Sequence, residues 1–170
     1  MAGMTLAMNF AMCWMNTKIP LFSKLVAKKD YVELDAKFKQ TLKQVLGMVI
    51  PCMLFLILLI ESFSYFHLTI HNIAFAEKFL PFRPLLLISV SALANIFIAS
   101  FAIYLRCHKE EPYMWLSIIT GFISIFSTFL LTKYFGLIGM TSGYCVITII
   151  TNIIGYSIYQ QKKREWHHAA

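Results

Sequence analysis

Charged residues are nearly absent from the middle of several long apolar stretches of this chain. In the C-terminal third, the apolar runs Tyr113–Thr132 and Phe135–Gln160 are separated by a single charge, Lys133. A helix crosses the hydrocarbon core of a bilayer with about 20 apolar residues, so each run is long enough to span it. With 59% hydrophobic residues and a mean hydropathy of +0.69, the chain lies outside the range of water-soluble domains. The scarcity of charge therefore excludes a soluble protein.

Motifs for enzymatic chemistry are also absent. The sequence has no Walker A motif, no GxSxG and no HExxH, so neither ATP hydrolysis nor hydrolase chemistry has the residues that it needs. His67 and His71 stand four apart, but no third metal ligand is evident near them. The four cysteines are far apart and form no CxxC pair, which favours buried small side chains over disulfides or a zinc site. We therefore expect no catalytic residue, no metal and no cofactor.

The formal net charge of +7 is distributed in a way that argues against nucleic-acid binding. Lysine and arginine stand in short clusters between apolar runs, as charges that set membrane topology do. There is no recognition helix, no RNA-binding sheet signature and no basic patch with interleaved aromatic residues. The sequence therefore predicts a lipid bilayer, and no nucleic acid, as a partner.

The sequence predicts an all-α, polytopic membrane bundle in one transmembrane domain, residues 1–170. Backbone N–H and C=O groups in lipid need internal partners, and continuously apolar runs favour helices over the alternating strands of a barrel. At about 30–43 we expect a cytoplasmic amphipathic helix on the membrane surface, because apolar residues such as Leu34 and Phe38 recur among lysines. Pro51 removes one backbone hydrogen bond and predicts a kink in the following span. The five expected spans are about 1–20, 44–61, 84–105, 113–132 and 135–160.

The orientation of the chain is predicted from lysine and arginine, which accumulate in cytoplasmic loops. If the basic loop at 18–43 is cytoplasmic, twelve of the fifteen lysines and arginines lie on that side and three on the other. Every alternate loop agrees with this assignment. We therefore expect a multi-pass protein of the plasma membrane with its N-terminus outside and its C-terminus in the cytoplasm. The three basic residues on the outer side are Lys78, Arg83 and Lys133.

Small and polar residues recur at helical spacing along the predicted spans. Two interpretations remain open: these residues pack helices against one another, or they line a hydrated cavity. The asparagines at mid-span depth favour a cavity, because a lone amide in lipid is costly. Glu61, the one acid that touches a span, is a candidate coupling or gating residue. Gly139 and Gly143 form a GxxxG motif, which predicts close helix packing. The candidate pathway residues are Asn9, Asn95, Ser124 and Asn152.

Two stretches carry a family resemblance. Trp14–Gln44, WMNTKIPLFSKLVAKKDYVELDAKFKQTLKQ, is a span ending near a proline, then a small basic loop, then DYxxL leading a long helix. Ser117–Lys163, SIITGFISIFSTFLLTKYFGLIGMTSGYCVITIITNIIGYSIYQQKK, is a span that closes on a KYFGLIGMTSG turn. Together they resemble the polysaccharide-biosynthesis or O-antigen flippase family of the multidrug/oligosaccharidyl-lipid/polysaccharide exporter superfamily. The resemblance covers nearly the whole chain, aligned to the last five helices of the family.

The resemblance implies most of the C-terminal lobe of a flippase whose twelve helices form two lobes of six, an arrangement known among transporters. Members of the family move a lipid-linked oligosaccharide, such as an O-antigen unit of lipopolysaccharide, across the bacterial inner membrane by alternating access. Cavity arginines and lysines hold the substrate's pyrophosphate or acidic sugars, which makes Arg83 and Lys133 candidates here. One lobe supplies one wall of the cavity, so we expect the chain to be incomplete alone. The implied partners are the lipid-linked oligosaccharide and a missing N-terminal half or polysaccharide polymerase machinery.

Two other functions remain open at the level of the sequence. The first is a multidrug exporter fragment of the same superfamily, although such exporters tend to place a functional acid within the membrane. The second is a non-transporting membrane subunit, in which the small residues serve only as an interface with a partner complex.

Overall fold

The structure, a computed structural model, describes residues 2–65, 69–70, 73–74 and 81–168. Its helices are α1 (Ala2–Asn16), α2 (Ile19–Ala27), α3 (Tyr31–Tyr65), α4 (Phe82–Cys107) and α5 (Tyr113–His168). Between α3 and α4, the two-residue strands β1 (Thr69–Ile70) and β2 (Ile73–Ala74) pair in antiparallel fashion. The His67 and His71 pair considered from the sequence lies outside the described residues.

Three helices in the described ranges, α3, α4 and α5, are long and apolar enough to cross a membrane, judged by length and composition. The predicted helical class is therefore confirmed, and the character of these helices supports membrane association. The number of five spans and the orientation of the termini stay predictions.

The expected first span, about 1–20, is divided between two helices. α1 has 15 residues and is about 22 Å long. The helix ends where the hydroxyl of Thr17 donates to the carbonyl of Trp14 over 2.8 Å. Pro20 lies in the first turn of α2, where the missing N–H of proline breaks no intrahelical hydrogen bond. The break at 17–18 is thus explained by the Thr17 hydrogen bond and by Pro20, which the apolar composition of the segment does not reveal.

Helix α3 joins the expected surface helix (30–43) and the expected second span (44–61) in 35 continuous residues. Asp30 caps its start, because its carboxylate accepts the backbone N–H of Glu33 over 3.1 Å. Pro51 lies inside the helix without ending it. One buried stripe runs through both expected segments at intervals of three or four residues, so the same face packs throughout. The stripe consists of Leu34, Phe38, Thr41, Val45, Val49 and Met53.

Helix α4 lies at the centre of the bundle and agrees closely with the expected span 84–105. It packs against each of the other four helices. Ser89, Ser91 and Ser100 are buried on it, and each hydroxyl donates to the carbonyl four residues earlier over 2.8 to 2.9 Å. These serines are satisfied within their own helix and allow close contact, as the packing interpretation predicts.

Helix α5 folds back on itself at Gly136, whose φ of 61° and ψ of −144° are not helical. We call residues 113–135 the N-terminal arm and residues 137–168 the C-terminal arm. Tyr113 at the start of the first arm donates its hydroxyl to the carbonyl of Gly155 over 2.6 Å. Thr120 and Thr151 meet nearer the turn, with their hydroxyl oxygens 3.4 Å apart. The two arms are therefore antiparallel, and each corresponds to one expected span.

Glycine permits the two arms of α5 to approach closely. A Cβ atom built on Gly139 would lie 2.7 Å from the carbonyl oxygen of Leu131. A Cβ atom on Gly143 would overlap the Leu131 side chain and lie 3.0 Å from the hydroxyl of Ser127. The close packing predicted from the GxxxG motif is confirmed, and the motif packs against the N-terminal arm.

One end of the bundle, which we call the basic end, collects α2, the start of α3 and the ends of α4 and α5. Tyr104 of α4 donates its hydroxyl to Asp35 of α3 over 2.9 Å, and Lys163 of α5 pairs with the same carboxylate. Arg83 and Lys133 lie toward the opposite end, and Lys78 is outside the described residues. The basic residues on the helices that meet at the basic end, and in the turns that connect them, are Lys18, Lys24, Lys28, Lys29, Lys37, Lys39, Lys43, Arg106, Lys109, Lys162, Lys163 and Arg164.

Candidate functional site

A cleft of about 550 Å³ lies between α4 and the N-terminal arm of α5. Its mouth is at the basic end, where Arg106 and the connection that follows α4 border it, and it extends along both helices as far as Asn95. Apolar side chains form much of its wall, with polar groups at the mouth and at the deep end. The lining residues are Asn95, Ile98, Ala99, Ala102, Leu105, Arg106, Glu110, Glu111, Pro112, Tyr113, Met114, Leu116, Ser117, Ile118, Thr120 and Thr151.

The deep end of the cleft contains an amide and two hydroxyls. Asn95 of α4 donates its side-chain N–H to the hydroxyl of Tyr144 over 3.0 Å, which ties α4 to the C-terminal arm. Thr120 and Thr151 each donate to the carbonyl four residues earlier, over 2.7 and 2.8 Å. Their oxygens retain further acceptor capacity, since a hydroxyl has two lone pairs. This end can therefore offer hydrogen bonds to a polar ligand.

The mouth of the cleft has charges of both signs. Arg106 lies 3.4 Å from Glu111, and both side chains are about two-thirds exposed, at 65% and 66%. Glu110 is paired with Lys162 of the C-terminal arm over 3.1 Å. Lys162 lies beyond the apolar part of α5, and hydrogen bonds to Glu165 and Glu110 raise the pKa of its ammonium group. The mouth is thus bridged by ion pairs that water can reach, which contribute little stability individually.

A second, almost wholly apolar groove of about 650 Å³ lies between α4 and the C-terminal arm of α5. Asn152 is on its wall and donates its side-chain N–H to the carbonyl of Thr148 over 3.0 Å. Phe101 and Tyr156 meet toward its basic end with ring centroids 5.8 Å apart. The groove is suited to apolar contacts and holds few polar groups.

The residues predicted as a pathway are not gathered in one place. Asn95 lines the cleft, whereas Asn152 lines the apolar groove. Ser124 is half-buried on the N-terminal arm, outside the set that lines the cleft. The other three candidates are exposed: Asn9 on α1, Glu61 near the end of α3 and Arg83 in the first turn of α4. The structure therefore brings together one of the predicted amides and several residues that the sequence did not single out.

Sequence reasoning missed Arg106, Tyr144 and Glu110 at the cleft and its edge. Arg106 was counted only toward topology, and Tyr144 falls inside an apolar run. The threonines gave a signal, since Thr120 and Thr151 are polar residues at mid-span depth. Which polar residues face each other depends on the relative rotation and depth of two helices, and the spacing within one helix does not determine this.

A cluster of aromatic and charged side chains holds the basic end together. Asp35 has only 17% of its side chain exposed, and it accepts both the Tyr104 hydroxyl and the Lys163 ammonium group. His108 follows α4 directly and stacks on Trp166 of α5, with ring centroids 3.8 Å apart. In the described part of the chain, no three His, Cys, Asp or Glu side chains come together as a metal site would need.

Comparisons of the chain with models of known families, with curated proteins and with solved structures found no match. An assignment of function therefore depends on the sequence pattern and on the geometry of the cleft and of the basic end.

Proposed function

We propose that the chain is a lobe of a membrane transporter that crosses the bilayer five times. The crossings would be α1, α3, α4 and the two arms of α5. Twelve basic residues at one end of the bundle support a cytoplasmic position for that end, because lysine and arginine are retained on the cytoplasmic side. The N-terminus would then be outside and the C-terminus inside. α3, at about 52 Å, would extend its lysine-rich first turns beyond a hydrocarbon core of about 30 Å.

We infer that the lobe forms one wall of a pathway for a lipid-linked oligosaccharide in the bacterial inner membrane. The observation that carries this proposal is the cleft, which is lined by the amide of Asn95 and by the hydroxyls of Thr120 and Thr151, all within the proposed crossings. Sugars are recognised by hydrogen bonds of this kind, and polar groups within a membrane mark substrate pathways more often than lipid-facing surfaces. Arg106 at the mouth could pair with a phosphate group, since guanidinium matches phosphate geometry. The flippase resemblance of the sequence supplies the substrate class.

The N-terminal arm of α5 supports the expectation that the lobe needs further helices. Most of its side chains are exposed, and it meets the C-terminal arm at Thr120 and at the glycines of the GxxxG motif. Ser117 and Gly121 are exposed there, among bulky apolar residues that are more than half exposed, such as Trp115 and Phe122. A missing N-terminal half of the transporter, or polysaccharide polymerase machinery, would cover this arm.

A second candidate function is a non-transporting membrane subunit, and the same arm favours it. Small residues exposed beside large apolar ones are what a helix–helix interface in a membrane requires. In that case a partner complex would cover the arm, and the cleft would be filled on assembly and carry no substrate.

Complementation of a flippase-deficient strain tests the transport proposal. The chain would be expressed together with an N-terminal half, and surface polysaccharide would be measured. We expect rescue by the pair, no rescue by the chain alone, and at least a tenfold loss with Asn95→Leu. Asn152→Leu is the matched control, because this amide lies in the apolar groove. Full rescue by Asn95→Leu would contradict a role for the cleft, and co-purification with an unrelated enzyme complex without rescue would favour the subunit.

A further inference from the structure

Two stripes of exposed residues, one on α1 and one on α3, change from charged to apolar along the bundle. Each stripe begins with lysine at the basic end and continues with apolar residues toward the middle of the bundle. Within a stripe, the residues follow one another at intervals of three or four, so they share one face of their helix. The α1 stripe, extended into the turn that follows α1, consists of the half-buried Lys18 and the exposed Trp14, Phe10 and Leu6. The α3 stripe consists of the exposed residues Lys39, Lys43, Gly47, Ile50 and Leu54.

A hydrogen bond between the two helices holds the stripes at a common level. The indole N–H of Trp14 donates to the side-chain oxygen of Gln44, the residue next to Lys43, over 3.2 Å. The ammonium group of Lys18 lies 5.1 Å from the centroid of the Trp14 ring, which is a cation–π distance. Lys39 lies one turn, or about 6 Å, from Lys43 along α3. We call Lys18, Lys39 and Lys43 the lysine collar.

The positive charge of the lysine collar is not balanced by acidic side chains. The sequence contains no Asp or Glu in residues 2–29 or in residues 36–60. Asp35, one turn before Lys39, is paired with Lys163 of α5. Within the described ranges, the ion pairs at the basic end use the cations of α4 and α5, and none uses a lysine of the collar. The collar therefore presents three ammonium groups to an anionic ligand.

A phospholipid with an anionic headgroup has the same sequence of charged and apolar parts as the two stripes. Its phosphate would meet the lysine collar, and its acyl chains would lie along apolar residues such as Phe10 and Leu54. Tryptophan is enriched at the membrane–water interface, where Trp14 would then lie. Lysine-rich segments at the cytoplasmic surface attract anionic lipids. Residues 18–43 contain seven lysines and no arginine, whereas nucleic-acid recognition commonly uses the fixed fork of arginine.

We propose that the lysine collar and Trp14 form a binding site for anionic phospholipids of the leaflet at the basic end. The site rests on the proposed crossings of α1 and α3, and it does not depend on what the cleft carries. Lys28 and Lys29, in the turn between α2 and α3, lie outside the site. Their turn precedes Tyr31, which is about 20 Å from Gln44 along α3, whereas charges in physiological salt are screened within about 8 Å.

Quenching of Trp14 fluorescence by brominated lipids tests the site in the full chain, reconstituted in vesicles of phosphatidylcholine and phosphatidylglycerol. Trp115→Phe and Trp166→Phe leave Trp14 as the single tryptophan. Brominating one lipid or the other gives the binding constant of phosphatidylglycerol relative to phosphatidylcholine beside Trp14. We expect a preference of about tenfold for the anionic lipid, because several lysines lie near its headgroup. The preference should fall below about twofold in about 1 M salt, where the screening length is only about 3 Å.

Two double variants of equal charge distinguish the collar from the net charge of the chain. Lys39→Gln with Lys43→Gln should reduce the preference at least about fivefold. Lys28→Gln with Lys29→Gln should leave it within about twofold of the parent.

Each failure has its own meaning. No preference in the parent, or equal losses in the two double variants, would overturn the site and leave the crossings intact. If neither brominated lipid quenches Trp14, the proposed crossing of α1 is wrong as well. Loss of the preference on adding millimolar inorganic phosphate or single-stranded RNA would assign the collar to a soluble anion and overturn the lipid site.

Discussion

Replacing Gly139 by alanine should separate the two arms of α5. The added methyl would lie 2.7 Å from the carbonyl oxygen of Leu131, whereas an ordinary carbon–oxygen contact is about 3.3 Å or more. The added methyl would also overlap the Cβ atom of Phe135. Neither this Cβ atom nor a backbone carbonyl can move away by changing rotamer, so the arms must shift by at least roughly 0.6 Å, the difference at the Leu131 oxygen. Overpacking of this kind costs about 1–3 kcal/mol. Alanine also has a higher helix propensity than glycine by about 1 kcal/mol, which offsets part of the loss.

Gly121→Ala is the matched control, because a Cβ atom at Gly121 meets nothing within 4 Å. Both variants gain the same propensity, so the difference between their free energies of unfolding isolates the packing term of about 1–3 kcal/mol. The measurement is denaturant unfolding of the detergent-solubilised chain, followed by far-UV circular dichroism. We expect Gly139→Ala to unfold at a lower denaturant concentration than Gly121→Ala. If the two variants are equally stable, the arms are not packed through this glycine.

Three further predictions concern the turn and the basic end. Gly136→Ala should lower the free energy of unfolding by roughly 1–3 kcal/mol, because a side chain is strained at the φ of 61° that Gly136 adopts. Gly47→Ala is the control and should not lower it, because a Cβ atom at Gly47 would meet no other atom within 4 Å. Asp35→Asn should cost roughly 1–3 kcal/mol in the same assay, since it removes a charged acceptor of two groups, while Glu61→Gln at an exposed site should be neutral. Because the pKa of Lys162 is raised in the folded chain, the ion pairs of its charged form contribute fully to stability below pH 10.5, the ordinary lysine pKa. This contribution is lost as the pH rises through the higher pKa of the folded state. An unfolding midpoint that falls equally over this alkaline range in wild type and in Lys162→Gln would contradict that linkage.

The helical elements were predictable because lipid allows few solutions for an apolar backbone. The expected span 84–105 agrees with α4, and the two spans on either side of Lys133 agree with the arms of α5. The segment 30–43, expected to lead into the second span, is continuous with it in α3. The amphipathic pattern at 30–43 indicated a surface helix, but its apolar stripe is in register with that of the following span. Nothing in the local sequence interrupts the helix there.

The polar sites were predictable only in part. Asn95 was found because an amide at mid-span depth is costly in lipid, but its partner Tyr144 could not be inferred, since that pairing depends on how α4 and α5 are rotated. Asp35 could not be singled out, because it is one of three acids in the lysine-rich segment 24–43. His108 and Trp166 are 58 positions apart in sequence and meet only because two helices end at the same level.

Helix α4 shows why the sequence left two interpretations of its polar residues open. Ser89, Ser91 and Ser100 are buried and bonded to their own helix, as the packing interpretation requires. Asn95, on another face of the same helix, lines the cleft and is bonded to a different helix. The packing interpretation thus describes the serine face, whereas the cavity interpretation of the Asn95 face stays a prediction. One wall of the cleft is the N-terminal arm of α5, which is joined to the C-terminal arm by close packing at Gly139 and Gly143 and by the Tyr113 hydrogen bond, so the shape of the cleft depends on these contacts as well as on its polar lining.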